Sequence, residues 1–251
     1  MTSVITVLRS GLLAAEAVAW YQSPIVIAAI GLVGGLVGGG IAVYGETRLW
    51  TLQARHEAEA VLARYREPLL GAAYELQGRL WNILGLNFLG KYYLPGDEAQ
   101  KTYAVENTLY VVAQYFGWSE ILRREIQFMN FSDSKRTRVV NARQGRIVEL
   151  FQSDDPRLGR PFLVWRGEQR AIGELMIESD ADRVHCLGYA GFIGRRETTF
   201  RSWFERLETD IDALARGTTP RLLELQHALV DLIRELDPQG LRYSDDDLLK
   251  V

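Results

Sequence analysis

The hydrophobic pattern changes character at residue 46. Residues 24–45 carry no acidic or basic side chain and read as one continuous apolar run. At about 1.5 Å per residue, a helix of that length covers the roughly 30 Å of a bilayer's hydrocarbon layer. A lone segment in lipid must satisfy its own backbone hydrogen bonds, which predicts a helix. Beyond residue 46, apolar positions recur at spacings of three and four among charged residues, the signature of amphipathic helices.

Residues 46–67 are rich in Leu, Ala, Glu, Gln and Arg, with Leu49, Leu52, His56, Ala60 and Ala63 on a narrow stripe. They predict a juxtamembrane stalk that Pro68 breaks or kinks. A second helix follows through Leu70, Ala73, Tyr74, Gln77, Leu80, Trp81 and Leu84, and an aromatic-rich connection leads to Pro95-Gly96. Asp97 and Gln100 have the spacing of a capping box that opens a long helix toward Met129. Residues 130–146 are polar and basic and read as containing a loop. Short helices are expected around Ile147, Leu150 and Phe151, and again over 162–177, where Gly167 and Gly173 are weak points.

The clearest amphipathic spacing comes late. Phe200, Trp203, Phe204, Leu207, Ile211 and Leu214 form one stripe, and Leu222, Leu225, Gln226, Leu229, Leu232, Ile233 and Leu236 form the next. Gly217 stops the first helix, Thr219 caps the second, and Pro220 fits its first turn. So short a link predicts an antiparallel helix hairpin. No alternating run predicts a sheet, and residues 187–194 alone read as extended or irregular. The expected fold is all-α: a short N-terminal segment (1–23), a transmembrane helix (24–45), the stalk (46–67), a cytoplasmic helical bundle (68–240) ending in that hairpin, and a loose acidic tail (241–251).

Composition narrows the class. Apolar residues make up 47% of the 251 and charged residues 24%, which excludes wholesale disorder and a polytopic transporter. A formal charge of −3 argues against general nucleic-acid binding. Cys186 is the only cysteine, so neither an internal disulfide nor a thiolate-rich metal site is expected. Glu16 interrupts the apolar stretch before Ala17-Val18-Ala19, which favours an uncleaved anchor over a signal peptide. Arg9 is the only basic residue in the 20 before the run, whereas Arg48, Arg55 and Arg64 follow it, so the C-terminal part is expected in the cytoplasm. Trp20, Tyr21, Tyr44 and Trp50 sit where interfacial aromatics belong.

Within the run, Gly31, Gly34, Gly35, Gly38 and Gly39 fall on one helical face, with Gly31, Gly35 and Gly39 making a doubled GxxxG pattern. A face without side chains lets two backbones approach closely, which predicts a homo-oligomer or a partner helix. A phosphate-binding reading of these glycines fails, because they lie inside the apolar run and no polar partner follows.

Three polar groups are candidates for chemistry. Arg166, Arg170 and Glu174 align at spacings of four, with Gln169 beside them; two guanidiniums facing one way can hold a phosphate or carboxylate. The competing reading is a salt-bridged face packed through Gly167 and Ala171. Lys135, Arg136 and Arg138, with Arg143 and Arg146, form a basic cluster that is either a solvated loop or a contact for anionic lipid head groups. His185 beside Cys186 invites a nucleophile reading, but an adjacent pair points its side chains apart and no third group completes it. No metal site, cofactor or catalytic residue is assigned.

The leading expectation is a single-pass membrane interaction, scaffold or signalling protein, non-enzymatic and self-associating through the glycine face. A membrane-tethered enzyme or anion-responsive sensor built on Arg166, Arg170 and Glu174 is the alternative. A membrane-permeabilising effector ranks last, because the span offers no polar residue to line a pore.

Overall fold

The computed structural model describes residues 60, 63–128, 135–180, 183–217 and 219–251. The expected span over 24–45, its glycine face and the stalk up to residue 62, apart from Ala60, lie outside them. The described residues belong to one compact unit. Among the described residues, no helix is long and apolar enough to cross a membrane.

The bundle is mostly helical, as its amphipathic spacing predicts. Helix α1 covers 63–84 and runs through Pro68 without a break; Tyr65, Leu69, Leu76 and Leu80 of this helix are all in the core. A π-helical turn, Leu89–Tyr93, leads to α2, Glu98–Phe128. The capping box that opens α2 is reciprocal: the Gln100 N–H donates to Asp97 Oδ1 at 2.8 Å, and the Asp97 N–H donates to Gln100 Oε1 at 3.1 Å.

Helix α3, Lys135–Gln152, occupies most of the stretch expected to contain a loop. Thr137, Val140, Ile147, Leu150 and Phe151 are buried along one side of it. The apolar stripe is thin, but most of the remaining positions are Lys, Arg, Gln, Glu or Ala, all good helix formers. Phe151 meets Phe116 of α2 edge-on at 5.0 Å, tying the two helices together. A 3-10 turn, Pro156–Leu158, precedes α4, Arg166–Leu175. The Glu168 carboxylate accepts from the Trp165 N–H at 2.7 Å and so caps the start of α4.

The mostly helical expectation holds, with two local corrections. The helix expected over 162–177 ends at Leu175, and β1 (Ile177–Asp180) pairs antiparallel with β2 (Arg183–Cys186), Ile177 opposite Cys186 and Asp180 opposite Arg183. Each strand has only four residues, too short to show an alternating pattern; β2 packs against α2, which half-buries Val184 and Cys186. The stretch expected to be irregular is helical: α5, Tyr189–Arg195, continues through a π-helical segment, Arg196–Phe200, into α6, Arg201–Arg216. The stripe expected on α6 loses Trp203, which is exposed, while Phe192, Phe200 and Phe204 cluster with centroids 4.9 to 5.9 Å apart.

The expected helix hairpin is also corrected. Helix α7, Pro220–Leu236, lies along α3, whereas α6 packs on α2 and on the Leu89–Tyr93 turn. Gly217 is extended, with φ −177° and ψ 156°, and lets the chain leave α6 in a new direction. The Thr219 hydroxyl donates to the Leu158 carbonyl at 2.6 Å instead of capping α7.

The acidic tail is docked rather than loose. The Asp237 carboxylate accepts from the N–H groups of Leu241, Arg242 and Tyr243 at 3.1, 2.8 and 3.2 Å. Tyr243 stacks on Tyr74 of α1 at 3.7 Å, and Leu248 enters the core. Gln226 of α7, fully buried, donates to the Leu249 carbonyl at 2.8 Å. Asp237→Ala is expected to free this segment, raising hydrogen exchange over 241–249 by about tenfold. The backbone N–H of Arg242, ahead of those of Tyr243 and Leu241, holds the Asp237 carboxyl below its ordinary value of 3.8. Its contribution is therefore complete above that value and is lost as pH falls through the lower folded one.

Candidate functional site

Helices α2, α3 and α4 enclose a groove of about 310 Å³, within the range of small-molecule sites. Helix α2 contributes Tyr115, Phe116, Ser119, Glu120 and Arg123; α3 contributes Asn141, Gln144, Gly145 and Val148; α4 contributes Arg166, Gln169 and Arg170. The groove exists because α4 crosses α2 closely at Gly173, where a Cβ would lie 2.7 Å from the Phe116 carbonyl oxygen. On the α3 side Gly145 meets nothing within 4 Å of its Cβ position, which leaves space where a side chain would otherwise stand.

The floor holds polar groups. Tyr115 and Gln169 are buried, at 1% and 5% exposure. Gln169 Oε1 has no hydrogen-bond partner, and the Tyr115 and Ser119 hydroxyls have none beyond each other. Tyr115 and Ser119 are one helical turn apart, and the Ser119 hydroxyl beside the phenol offsets a little of the effect of its burial. Gln169 is oriented: its Nε2 donates to the carbonyls of Val164 at 2.9 Å and Val148 at 3.2 Å, so Oε1 is left as an acceptor. Burial pushes the Tyr115 phenol well above the usual tyrosine range, keeping it a neutral donor at physiological pH.

The rim is positive. Glu120 is buried and accepts from Arg123 at 2.5 and 2.7 Å and from Arg124 at 2.8 Å. Burial alone would raise its carboxyl, but the hydrogen bonds from Arg123 and Arg124 outweigh burial and hold it below the usual carboxylate range. Arg166 and Arg170 are exposed at the mouth, and neither has an ion-pair partner among the described residues. Three arginines against one carboxylate leave the lining with a net charge of +2.

The candidate residues read from sequence therefore separate. Arg166 and Arg170 come together at the groove. Glu174 does not line it; it is exposed and pairs with Arg124 at 3.0 Å. The packing expected through Gly167 and Ala171 falls instead on Gly173, since Gly167 faces open space. Lys135, Arg136 and Arg138 lie at the start of α3, with Arg138 exposed. Arg143 and Arg146 of the same cluster face acidic residues of α7, Asp231 at 3.8 Å and Glu224 at 3.5 Å. Cys186 sits 4.0 Å from the Gln114 carbonyl, and burial pushes its thiol up to about 12, so it is not a thiolate at neutral pH. Among the described residues, no group of His, Cys, Asp and Glu is arranged to hold a metal.

Sequence reasoning passed over Tyr115, Ser119, Glu120 and Arg123. The available signal was Gln169, a long polar side chain in register with Ile172, Gly173 and Met176 on the buried side of α4. No family model matches the chain, and no match is found among curated proteins or solved structures.

Proposed function

We propose that the protein is a membrane-anchored, non-enzymatic helical binding module, tethered by residues 24–45, self-associating through Gly31, Gly34, Gly35, Gly38 and Gly39, and holding its helical domain at the cytoplasmic face. The observation that carries the binding role is the groove between α2, α3 and α4, an apolar space with the buried Gln169 Oε1 unpartnered beneath the unpaired Arg166 and Arg170. Buried polar atoms are ordinarily satisfied, so an orphaned acceptor is a place where a ligand or water completes the set. Binding fits these groups better than catalysis does, because the one carboxylate in the lining is held by Arg123 and Arg124 and the phenol stays protonated. Tethering is supported by the uncharged length of 24–45 and the basic residues that follow it. Lateral association would raise the local concentration of the domains, so that a weak contact between them suffices.

The test uses the full chain in native membranes. It is expected to stay in the pellet after an alkaline wash and to cross-link to itself. Gly35→Ile with Gly39→Ile is expected to reduce cross-linked product at least about tenfold, since each added side chain blocks the close approach. Recovery in the wash supernatant would remove the tether, and unchanged cross-linking would remove the glycine face.

A further inference from the structure

The groove's chemistry specifies more than the existence of a ligand. Its depth presents one obligatory acceptor, Gln169 Oε1, whose amide is fixed by the two carbonyls on Nε2. Beside it stand two hydroxyls that can each donate or accept, those of Tyr115 and Ser119. The walls are Phe116, Val148 and the Tyr115 ring. The mouth carries Arg166 and Arg170 one helical turn apart, a spacing that lets two guanidiniums address one anion.

We infer that the groove binds a small amphipathic organic anion: a hydroxyl or N–H donor at the buried end, an apolar body, and a carboxylate or phosphate at the arginine-lined mouth. Each part answers a separate demand. A donor is needed because Gln169 Oε1 cannot donate and stands unpartnered in a buried place. An apolar body is needed because a fully polar ligand would surrender its hydration against Phe116 and Val148 without compensation. The anion is needed because the lining holds two more positive charges than negative, in a partly water-excluded space. A cation fails the charge requirement, and a neutral hydrocarbon lacks both the donor and the anion. This inference rests on the binding role proposed for the groove and adds the ligand's chemical class to it.

The experiment is isothermal titration calorimetry of the full chain with 4-hydroxyphenylacetate. The reference is Gly145→Trp, which fills the open space at Gly145 and so serves as a blank for nonspecific uptake. This variant replaces a helical glycine with a better helix former, and circular dichroism checks that it keeps its fold. Two analogues split the ligand: tyrosol, which lacks the anion, and phenylacetate, which lacks the hydroxyl. 4-Hydroxybenzylphosphonate distinguishes a phosphate-type anion from a carboxylate. The expected result is saturable binding of the hydroxy acid or the phosphonate to the wild type and none to Gly145→Trp. Binding should weaken at least about tenfold for tyrosol, and by the same factor for the acid on Arg166→Ala with Arg170→Ala. Tyr115→Phe, which removes only the phenolic hydroxyl, should weaken the hydroxy acid but leave phenylacetate unchanged.

Equal affinity for tyrosol and the acid would overturn the anionic class while leaving a binding groove. Equal affinity for phenylacetate and the hydroxy acid would overturn the buried donor. Absence of binding by all four probes, or equal uptake by Gly145→Trp, would overturn the site. None of these outcomes touches the pelleting and cross-linking results, so the tether stands or falls separately.

Discussion

Arg221→Met is expected to lower the free energy of unfolding by about 3–5 kcal/mol, a third or more of what a domain of this size commonly has. Arg221 sits in the first turn of α7, where a positive charge opposes the helix dipole and an acidic residue would be favoured. It is nonetheless 1% exposed. Its guanidinium donates to the carbonyls of Leu150 and Phe151 at the end of α3, to Ser153 at 2.7 Å and to Gly159 at 2.8 Å. The last carbonyls of a helix have no partner of their own, so one side chain closes the end of α3 and fixes the turn after it. Burial lowers its basicity, partly offset by Asp210, but an arginine stays charged across the physiological range. Methionine keeps much of the volume and removes every donor. Phe151 retains the Val164 N–H at 2.9 Å, whereas Leu150, Ser153 and Gly159 lose the Arg221 donor. Arg221→Lys should fall between the two, because an ammonium keeps the charge without the planar fork. Urea unfolding followed by circular dichroism measures both. A midpoint for Arg221→Met within error of the wild type would show that these carbonyls draw little stability from Arg221.

Local signals in the chain were legible where they act over one turn. Asp97 and Gln100 announced the start of α2, and the stripe from Leu222 to Leu236 is the buried face of α7. Partnership between distant elements was not legible. The spacing of α6 and α7 implied mutual packing, yet α7 takes α3 and α6 takes α2, because a two-faced stripe states that a helix needs a neighbour and not which one. Helix α3 hid behind its basic residues, and the hairpin over 177–186 behind strands of four residues. The tail looked solvated because its aspartates dominate the composition, whereas Leu248 and Tyr243 dock it. At the groove, Arg166 and Arg170 could be read from their spacing. Tyr115 could not, since a buried polar residue on an apolar face is indistinguishable from core until the structure places it in a groove.

Gly173 and Gly167 belong to the same ten-residue helix, and the same substitution at each should move stability in opposite directions. At Gly173 a methyl group would stand 2.7 Å from the Phe116 carbonyl oxygen, 2.9 Å from Glu120 Cβ and 3.1 Å from the Phe116 carbonyl carbon. Two of those atoms are backbone of α2, so only a shift of one helix against the other relieves the contact. Gly117 of α2 lies near the same crossing, where a Cβ would meet Cys186 Sγ at 2.6 Å and Met176 Cβ at 2.9 Å, so there is little slack to absorb that shift. Gly173→Ala is therefore expected to destabilise by about 2–3 kcal/mol, the overpacking cost exceeding the gain of about 1 kcal/mol in helix propensity. Gly167 faces open space, and Gly167→Ala keeps the propensity gain alone, stabilising by up to about 1 kcal/mol. Chemical denaturation of both variants supplies the sign directly. A stabilised Gly173→Ala would mean that α2 and α4 do not approach this closely, and the groove they enclose would lose its floor as drawn, because Gln169 is one turn from Gly173 and Glu120 is the residue its methyl would strike.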